Sequence, residues 1–583
     1  MIDTFSERIK FSPFGGELIL EEVKGTTNGN LNPENNVNTV TGQDRDMYSY
    51  IPKSGCPHAK QAQVFMVLRN CSSQESAEEL MHTYKLDDLA EKYGFILLFP
   101  NPAEGGWNYA QDPERDNDIQ YLVRCFAALP KSKGKVAGFN GMINYLGTDP
   151  ESSAMVMTLA AESPLDAAAV MVGQFPEGYV IPEGKGAQQA GWVCSGNKAA
   201  LEYLQKVNTP DKTNARCVIT AYREEALSAE MLEEAWDTLF SETRRWRNDT
   251  YGIYQPRIDF AKKGYIAHTR DDSLGVNDGF KHTWYEYVPE QLRNTEEKVP
   301  LLFYFHGVNC TGLYGAEQSG WSDIADRENF IVVYPNPAIE ERWNVWDDPR
   351  IPSDVSFVMA LIEHMKTVHP IDESRIYISG FSMGSMFTNA LACSYPDVFA
   401  GAVAMNGPNW GYQKTLESSR KGLLMFNPRS VLKDIPDSGE TESVTKKRSD
   451  AKKAQYDYRM PFVQFVGLLD NVGFDQGVWP LRGPEHNSWT GTVTNWVRFN
   501  GNRAFTAAYT DETPSGFVSD TCERIGERFI EQTWKNDEGE TLYHFICAER
   551  MPHAVDLNNA ELGWQRIRCY RRTADGSLER TGS

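Results

Sequence analysis

The chain lacks an excess of positive charge. Its 58 lysine and arginine residues are outnumbered by 80 aspartate and glutamate residues, which gives a formal net charge of −22 at pH 7. A chain this acidic repels phosphate backbones and anionic lipid headgroups, and its densest basic segment, residues 446–453, is interleaved with acidic and polar residues. We therefore expect neither nucleic acid nor a membrane surface as a partner.

Long apolar runs, a basic and apolar leader and paired cysteine motifs are also missing. No stretch approaches the 18 apolar residues of a membrane span, so we predict no transmembrane segment. Ten cysteines are scattered over 583 residues without a CxxC motif or a Cys/His spacing typical of metal sites. This pattern favours reduced thiols, a cytoplasmic location and no metal. A secreted chain whose signal had been cleaved would look the same, so secretion stays open.

The sequence does contain an internal repeat. Three blocks recur at an offset of 235 to 237 residues: 47–52 with 284–289, 89–103 with 324–338, and 107–108 with 343–344. So steady an offset predicts two tandem copies of one fold rather than two unrelated domains. We place the first copy at residues 1–245 and the second at residues 246–583.

Each copy alternates apolar runs with helical patterns. In the second copy, residues 300–305, 330–334 and 375–379 are short apolar runs typical of buried strands, and residues 321–329 and 355–368 show helical spacing. Buried strands separated by helices indicate a mostly parallel sheet with helices on both faces. The predicted fold class is therefore α/β, with two tandem domains of this kind.

A G-x-S-x-G motif follows the third of these strands, at residues 380–384. A glycine-flanked serine between a strand and a helix is typical of the turn that presents a nucleophilic hydroxyl above an α/β-hydrolase sheet. Ser382 is the predicted nucleophile; the alternative is a helix-capping serine in a glycine-rich turn. One donor to the oxyanion is predicted to be the backbone N–H of Met383, and the second that of Val308, after the first strand.

The serine needs a base and an acid that follow it in the chain. Three histidines remain downstream, and we favour His553, in a loop after the last predicted strand, over His486 and His544. Asp470 ends an apolar strand and is the predicted acid, with Asp475 as its rival.

The second copy resembles the polyhydroxybutyrate depolymerase and feruloyl esterase group of α/β-hydrolases, which also includes acetyl xylan esterases. The resemblance is carried by residues 306–308, 321–326, 330–335, 342–346, 372–384, 395–400 and 496–501. It implies a serine esterase with Ser382, Asp470 and His553 as the triad. Val308 stands where the family usually has cysteine, a change that a backbone donor tolerates.

The first copy lacks the residues for this chemistry. Arg69-Asn70-Cys71 replaces His306-Gly307-Val308, and we predict Pro150 at the nucleophile position and Asn197 near the acid position. No histidine lies between His82 and His268. The first copy is therefore predicted to be a degenerate, non-catalytic hydrolase domain. Its predicted role is to stabilise the protein, to shape the substrate pocket of the second copy or to assemble an oligomer.

Residues 411–459 depart from the α/β pattern and are predicted to form either a lid or a solvated surface excursion. Three tryptophans are the predicted substrate-binding residues. Trp410 and Trp479 lie beside turn residues, and Trp346 lies in one of the segments that carry the family resemblance.

The predicted function is a serine carboxylic ester hydrolase acting on small or aromatic acyl esters. The substrate is a small-molecule or oligomeric ester, no cofactor is required, and a homo-oligomer is left open. Two alternatives remain: a serine peptidase of the same fold, and a binding or scaffold protein in which both copies are inert.

Overall fold

The structure is a computed structural model. It describes residues 8–9, 15–32, 37–57, 62–132, 138–208, 219–245, 254–270, 274, 276, 279–308, 310–339, 342–345, 351–408, 458–468, 470, 488–502, 504–549, 551 and 553–582.

The chain divides into two compact units, Met1–Ile258 and Asp259–Ser583. The division lies beyond residue 245 because strand Tyr254–Pro256 pairs with strand Thr243–Arg245. The Tyr254 hydroxyl also donates to the carbonyl of Ala168 at 2.5 Å and accepts from the backbone N–H of Ala190 at 2.9 Å. These contacts bind the segment after residue 245 to the first unit.

The first unit contains fourteen strands and six α-helices among its described residues. The strands are β1 Arg8–Ile9, β2 Leu18–Val23, β3 Thr26–Asn32, β4 Val37–Thr41, β5 Arg45–Tyr50, β6 Cys56–Pro57, β7 Ala62–Leu68, β8 Ile96–Pro100, β9 Gly138–Gly147, β10 Ala169–Val172, β11 Ala190–Val193, β12 Thr220–Tyr222, β13 Thr243–Arg245 and β14 Tyr254–Pro256. The helices are α1 Gln74–Tyr84, α2 Leu86–Tyr93, α3 Asp118–Ser132, α4 Pro150–Glu162, α5 Lys198–Val207 and α6 Ala229–Ala235. A π-helical turn, Trp236–Phe240, continues α6.

The second unit adds twelve strands and seven α-helices among its described residues. The strands are β15 Tyr265–Arg270, β16 His282–Tyr287, β17 Val299–Phe305, β18 Ile331–Pro335, β19 Ile371–Phe381, β20 Gly401–Met405, β21 Phe462–Gly467, β22 Thr521–Ile525, β23 Phe529–Lys535, β24 Thr541–Ala548, β25 Tyr570–Arg572 and β26 Leu578–Arg580. The helices are α7 Phe260–Lys263, α8 Gly312–Ser319, α9 Trp321–Glu328, α10 Asp354–Val368, α11 Met383–Ser394, α12 Ser488–Phe499 and α13 Leu557–Ile567.

The two large sheets share one topology, which confirms the repeat. The first has the strand order β12-β11-β10-β9-β7-β8-β5-β2, and the second has β22-β23-β24-β21-β20-β19-β17-β18-β16-β15. Eight strands correspond, and the antiparallel strands β22 and β23 extend the second sheet. The register repeats as well, since Met47 pairs with Pro100 in the first sheet as Trp284 pairs with Pro335 in the second.

Both faces of each sheet are buried, as the apolar runs predicted. In β7, Val64 and Met66 pack into one hydrophobic core, while Phe65 and Val67 pack into a second core on the other face. All seven residues of β17 are buried. Side chains of successive strand residues point to opposite faces, so helices must cover both. The predicted α/β class with two tandem domains is confirmed.

None of the helices in the described part of the chain is long and apolar enough to cross a membrane. The nine cysteines that the structure describes are all free thiols.

Candidate active site

Ser382 lies between β19 and α11, in the strand–turn–helix context that the motif predicted. Its backbone has φ 55° and ψ −117°, a conformation that a residue with a side chain rarely adopts. The strain costs on the order of 1–3 kcal/mol and persists only because the surroundings hold it. Here the backbone N–H of Ser382 donates to the carbonyl of Met405, the last residue of β20, at 2.8 Å.

The glycines around the serine are required by close backbone contacts. A Cβ at Gly384 would lie 2.0 Å from the carbonyl oxygen of Phe305, at the end of β17. A Cβ at Gly407 would lie 2.2 Å from the carbonyl oxygen of Ser382. The turn can therefore pack against the two neighbouring strand ends only without side chains at these positions.

Ser382, His553 and Asp470 form one hydrogen-bonded chain. His553 Nε2 lies 2.7 Å from Ser382 Oγ, and His553 Nδ1 lies 2.7 Å from Asp470 Oδ2. A carboxylate can only accept, so Nδ1 carries the proton and donates to Asp470. Nε2 then accepts from the serine hydroxyl. Asp470 is 1% exposed and Ser382 is 7% exposed, so both ends of the hydrogen-bonded chain are buried.

Parallel strands explain why residues so distant in sequence meet. Ser382 follows β19, Asp470 lies three residues after β21, and His553 follows β24. These strands run parallel through β20, so their carboxyl ends share one edge of the sheet. Ligands and catalytic groups of open α/β sheets collect at this edge.

The other candidate histidine that the structure describes, His544, lies elsewhere. It belongs to β24, where its Nδ1 lies 2.9 Å from Glu531 Oε1, and Arg566 donates to both oxygens of the same carboxylate. His544 is thus part of an ion-pair cluster on the sheet.

The loop after β17 lies against the nucleophile. A Cβ at Gly307 would lie 3.3 Å from the Cβ of Ser382, and Val308 follows directly. Met383 is the first residue of α11, where backbone N–H groups have no intrahelical partner. The oxyanion role of these two amides stays a prediction.

His306 braces this loop rather than serving as a base. Its Nδ1 lies 2.7 Å from the carbonyl oxygen of Gly307, and burial lowers the pKa of His306 to about 4. The Trp343 indole N–H donates to the His306 carbonyl at 2.8 Å. The repeat preserves this contact, since Trp107 donates to the carbonyl of Arg69 at 3.0 Å.

The predicted substrate wall lies outside the described residues. This applies to Trp346, Trp410 and Trp479, to the rival candidates His486 and Asp475, and to residues 411–457 of the predicted lid.

The first unit has aspartate, not proline, at the nucleophile position. Gly147 pairs with Leu68 as Gly380 pairs with Phe305, so Asp149 corresponds to Ser382 and the assignment of Pro150 is wrong by one residue. Aligning Pro164 with Pro396, the prolines that follow the two helices, gives Pro150, because the first segment is one residue longer than the second.

Asp149 caps α4 with ordinary extended backbone, at φ −139°. Its carboxylate also accepts from the Asn70 N–H at 2.9 Å. Asn197 caps α5 and donates to the Gly173 carbonyl at 2.6 Å. Both side chains are engaged in holding backbone, which is consistent with the predicted loss of catalysis.

Two residues that support the site escaped sequence analysis. Asn406 directly follows β20, and its side chain bonds to the segments that carry Asp470 and His553. Arg528, in the turn between β22 and β23, contacts both ends of the His553 loop. Only the dipeptide Asn406-Gly407 offered a signal, as a turn after a strand.

Comparisons with known proteins find similarity to esterases and depolymerases. Residues 285–420 match the model of the family described as Esterase PHB depolymerase. Over 174 residues the chain is 34% identical to poly(3-hydroxyalkanoate) depolymerase C of Paucimonas lemoignei, covering 28% of this chain and 39% of that protein. Over 140 residues it is 29% identical to feruloyl esterase B of Thermothelomyces thermophilus, covering 23% of this chain and 47% of that protein.

The chain therefore spans less than half the length of these two curated relatives. Among solved structures, an acetyl xylan esterase from Aspergillus awamori superposes with a TM-score of 0.36 and 15% identity, over 52% of this chain and 99% of that one. The family model and the two curated relatives confirm the resemblance of the second copy to the polyhydroxybutyrate depolymerase and feruloyl esterase group, with the family model matching residues 285–420.

Proposed function

We propose that the second unit is a serine carboxylic ester hydrolase that works through an acyl-enzyme. The observation that carries this proposal is the Asp470–His553–Ser382 hydrogen-bonded chain, with both links at 2.7 Å, set on a strained strand–helix turn. A serine hydroxyl becomes an effective nucleophile only when a base removes its proton. In this proposal His553, oriented by Asp470, is that base.

In the proposed reaction, Ser382 Oγ bonds to the ester carbonyl carbon while its proton moves to His553 Nε2. The resulting imidazolium is stabilised by Asp470, and the oxyanion is held by the N–H groups of Met383 and Val308. Collapse breaks the bond to the alcohol oxygen, which takes the proton from His553. Water then adds to the acyl-enzyme by the same route and releases the acid. The cycle uses side chains, backbone and water.

The substrate class is proposed from the relatives. Their names assign them poly(3-hydroxyalkanoate), feruloyl and acetylxylan esters, all of which are acyl esters of hydroxyl groups. We propose an ester with a small or aromatic acyl group, whether in a small molecule or an oligomer. Rates on p-nitrophenyl acetate, p-nitrophenyl butyrate, methyl ferulate and a 3-hydroxybutyrate trimer would rank the acyl groups.

The test of the reaction type is hydrolysis of p-nitrophenyl acetate by the full chain and by Ser382→Ala. We expect kcat to fall roughly 10³-fold or more in Ser382→Ala, because a triad acts as a unit. Ser385→Ala is the matched control, since Ser385 lies on the same helix and donates to the Gly407 carbonyl at 2.7 Å.

Ser385→Ala should keep most of the activity. An inactive wild type, or equal rates for wild type and Ser382→Ala, would overturn the esterase and favour a binding or scaffold protein.

A further inference from the structure

Asn406 lies at the middle of the sheet edge where Ser382, Asp470 and His553 meet. It is the residue after β20, the strand that lies between β19, which carries Ser382, and β21, which leads to Asp470. It is fully buried and has φ 52°, in the left-handed region that asparagine tolerates better than most residues. A buried amide in strained backbone must satisfy its hydrogen bonds within the protein.

The side chain of Asn406 joins the acid segment to the base segment. Its Oδ1 accepts from the backbone N–H of Gly467, the last residue of β21, at 2.7 Å. Its Nδ2 donates to the carbonyl of Ala554, the residue after His553. Its own backbone N–H donates to the carbonyl of Phe465 at 2.9 Å. One amide therefore fixes the distance between the strand that precedes Asp470 and the loop that carries His553.

This arrangement requires an amide. The group facing Ala554 must be a donor and the group facing Gly467 must be an acceptor, and only asparagine offers both at this size. Aspartate has the same shape but would turn a carboxylate oxygen toward the Ala554 carbonyl. The loop would then be pushed away rather than held.

We infer that Asn406 is a positioning residue for the proposed hydrolysis: by bridging Gly467 and Ala554 it sets the His553 imidazole against both Asp470 and Ser382. The inference rests on the proposed function. Asn406 reaches the reacting atoms only through His553, so its loss should lower kcat and leave substrate binding largely unchanged. A misplacement of about 1 Å in a catalytic group costs about 10²-fold in rate.

Asn500 offers a matched control at the opposite end of β21, the strand that Gly467 ends. It is also buried, and it bridges the backbone of Met460, just before β21, accepting from the N–H at 2.7 Å and donating to the carbonyl at 2.8 Å. Asn500→Asp thus creates the same chemical conflict as Asn406→Asp, but away from the catalytic edge.

The experiment compares wild type, Asn406→Asp and Asn500→Asp in p-nitrophenyl acetate hydrolysis, with thermal unfolding to establish that each is folded. We expect kcat to fall about 10²-fold in Asn406→Asp with KM within about twofold, and kcat to stay within about threefold in Asn500→Asp. The rate at which a fluorophosphonate labels Ser382 should fall in parallel with kcat, since labelling needs the base but not the ester.

A folded Asn406→Asp with near wild-type kcat, or an equal loss in Asn500→Asp, would overturn the inference while leaving the esterase intact. An inactive wild type would overturn the proposed function and the inference with it. Asn406→Gly suits the positive φ and removes both side-chain bonds, so it serves if the aspartate variant does not fold. If neither folds, Asn406 is needed for folding and the inference fails.

Discussion

At the scale of single residues, Glu531 is one source of acid sensitivity. Burial alone would raise the pKa of Glu531, but hydrogen bonds from Arg566 and His544 outweigh it and lower this pKa from 4.5 to about 2. A carboxyl whose pKa is lower in the folded state stabilises the fold above its unfolded pKa. That contribution is lost as the pH falls from about 4.5 to about 2.

We therefore expect Glu531→Gln to be less stable than wild type at pH 7, by about 3 kcal/mol at most. The difference should shrink as the pH falls toward 2, because protonation removes the same charge from wild type. Urea unfolding at several pH values measures this. Glu579→Gln is the control, since Glu579 pairs with Arg571 on the surface, and it should change stability by less than about 1 kcal/mol. A pH-independent deficit in Glu531→Gln would contradict the assignment.

The three residues of the hydrogen-bonded chain, Ser382, His553 and Asp470, could be singled out from the sequence because each carries a local signal. Ser382 lies in a five-residue motif between a strand and a helix, and Asp470 and His553 each follow a recognisable strand. Asn406 and Arg528 could not be predicted, because their roles depend on bonds to residues far away in the chain. The nearer of the two partners of the Asn406 side chain, Gly467, is 61 positions away.

At the scale of elements, the hairpin β22–β23 distinguishes the second sheet from the first. Arg528, in its turn, donates to the carbonyl of Glu549, where the His553 loop begins, at 3.1 Å. It also pairs with Asp556, which caps α13 where that loop ends, at 3.2 Å. Both side chains are buried, so the hairpin holds the loop through a shielded charge pair.

Arg528→Ala should destabilise the protein by about 3–5 kcal/mol, because it leaves the Asp556 carboxylate buried with its guanidinium partner removed. Arg524 offers the comparison, since it lies on the same hairpin and pairs with the Glu549 carboxylate, but half of its side chain is exposed. Arg524→Ala should cost less than about 1 kcal/mol. Equal losses in urea unfolding would show that burial of the pair does not matter.

The strands and helices before the G-x-S-x-G motif were predictable from apolar runs and helical spacing. The predicted helix over 355–368 is α10, Asp354–Val368, and the predicted strand over 300–305 is β17, Val299–Phe305. The hairpin was not predictable: β22 has the burial pattern of a solvent-facing edge strand, so it lacks an apolar run. Its place in the sheet is fixed by pairing with β23 rather than by its own composition.

At the scale of the whole molecule, the described residues contain two copies of the fold, and the Ser–His–Asp hydrogen-bonded chain lies in the second. Asp149 replaces the serine in the first unit, and the described loop after β12, residues 223–228, contains no histidine. We expect a fluorophosphonate to add to each chain once, at Ser382, as read by intact mass and peptide mapping. Ser382→Ala should take up none. Two additions per chain, or one at a residue of the first unit, would contradict the non-catalytic assignment of that unit.

The same turn is thus built twice in one chain, once at Ser382 with φ 55° and once at Asp149 with φ −139°. The strained backbone that presents the Ser382 hydroxyl costs the fold on the order of 1–3 kcal/mol relative to the extended backbone at Asp149. A single-domain enzyme must offset this strain energy with the packing of its own core. The second unit likewise holds the strain within its own core, because the strain lies at its turn and is absent from the corresponding turn of the first unit.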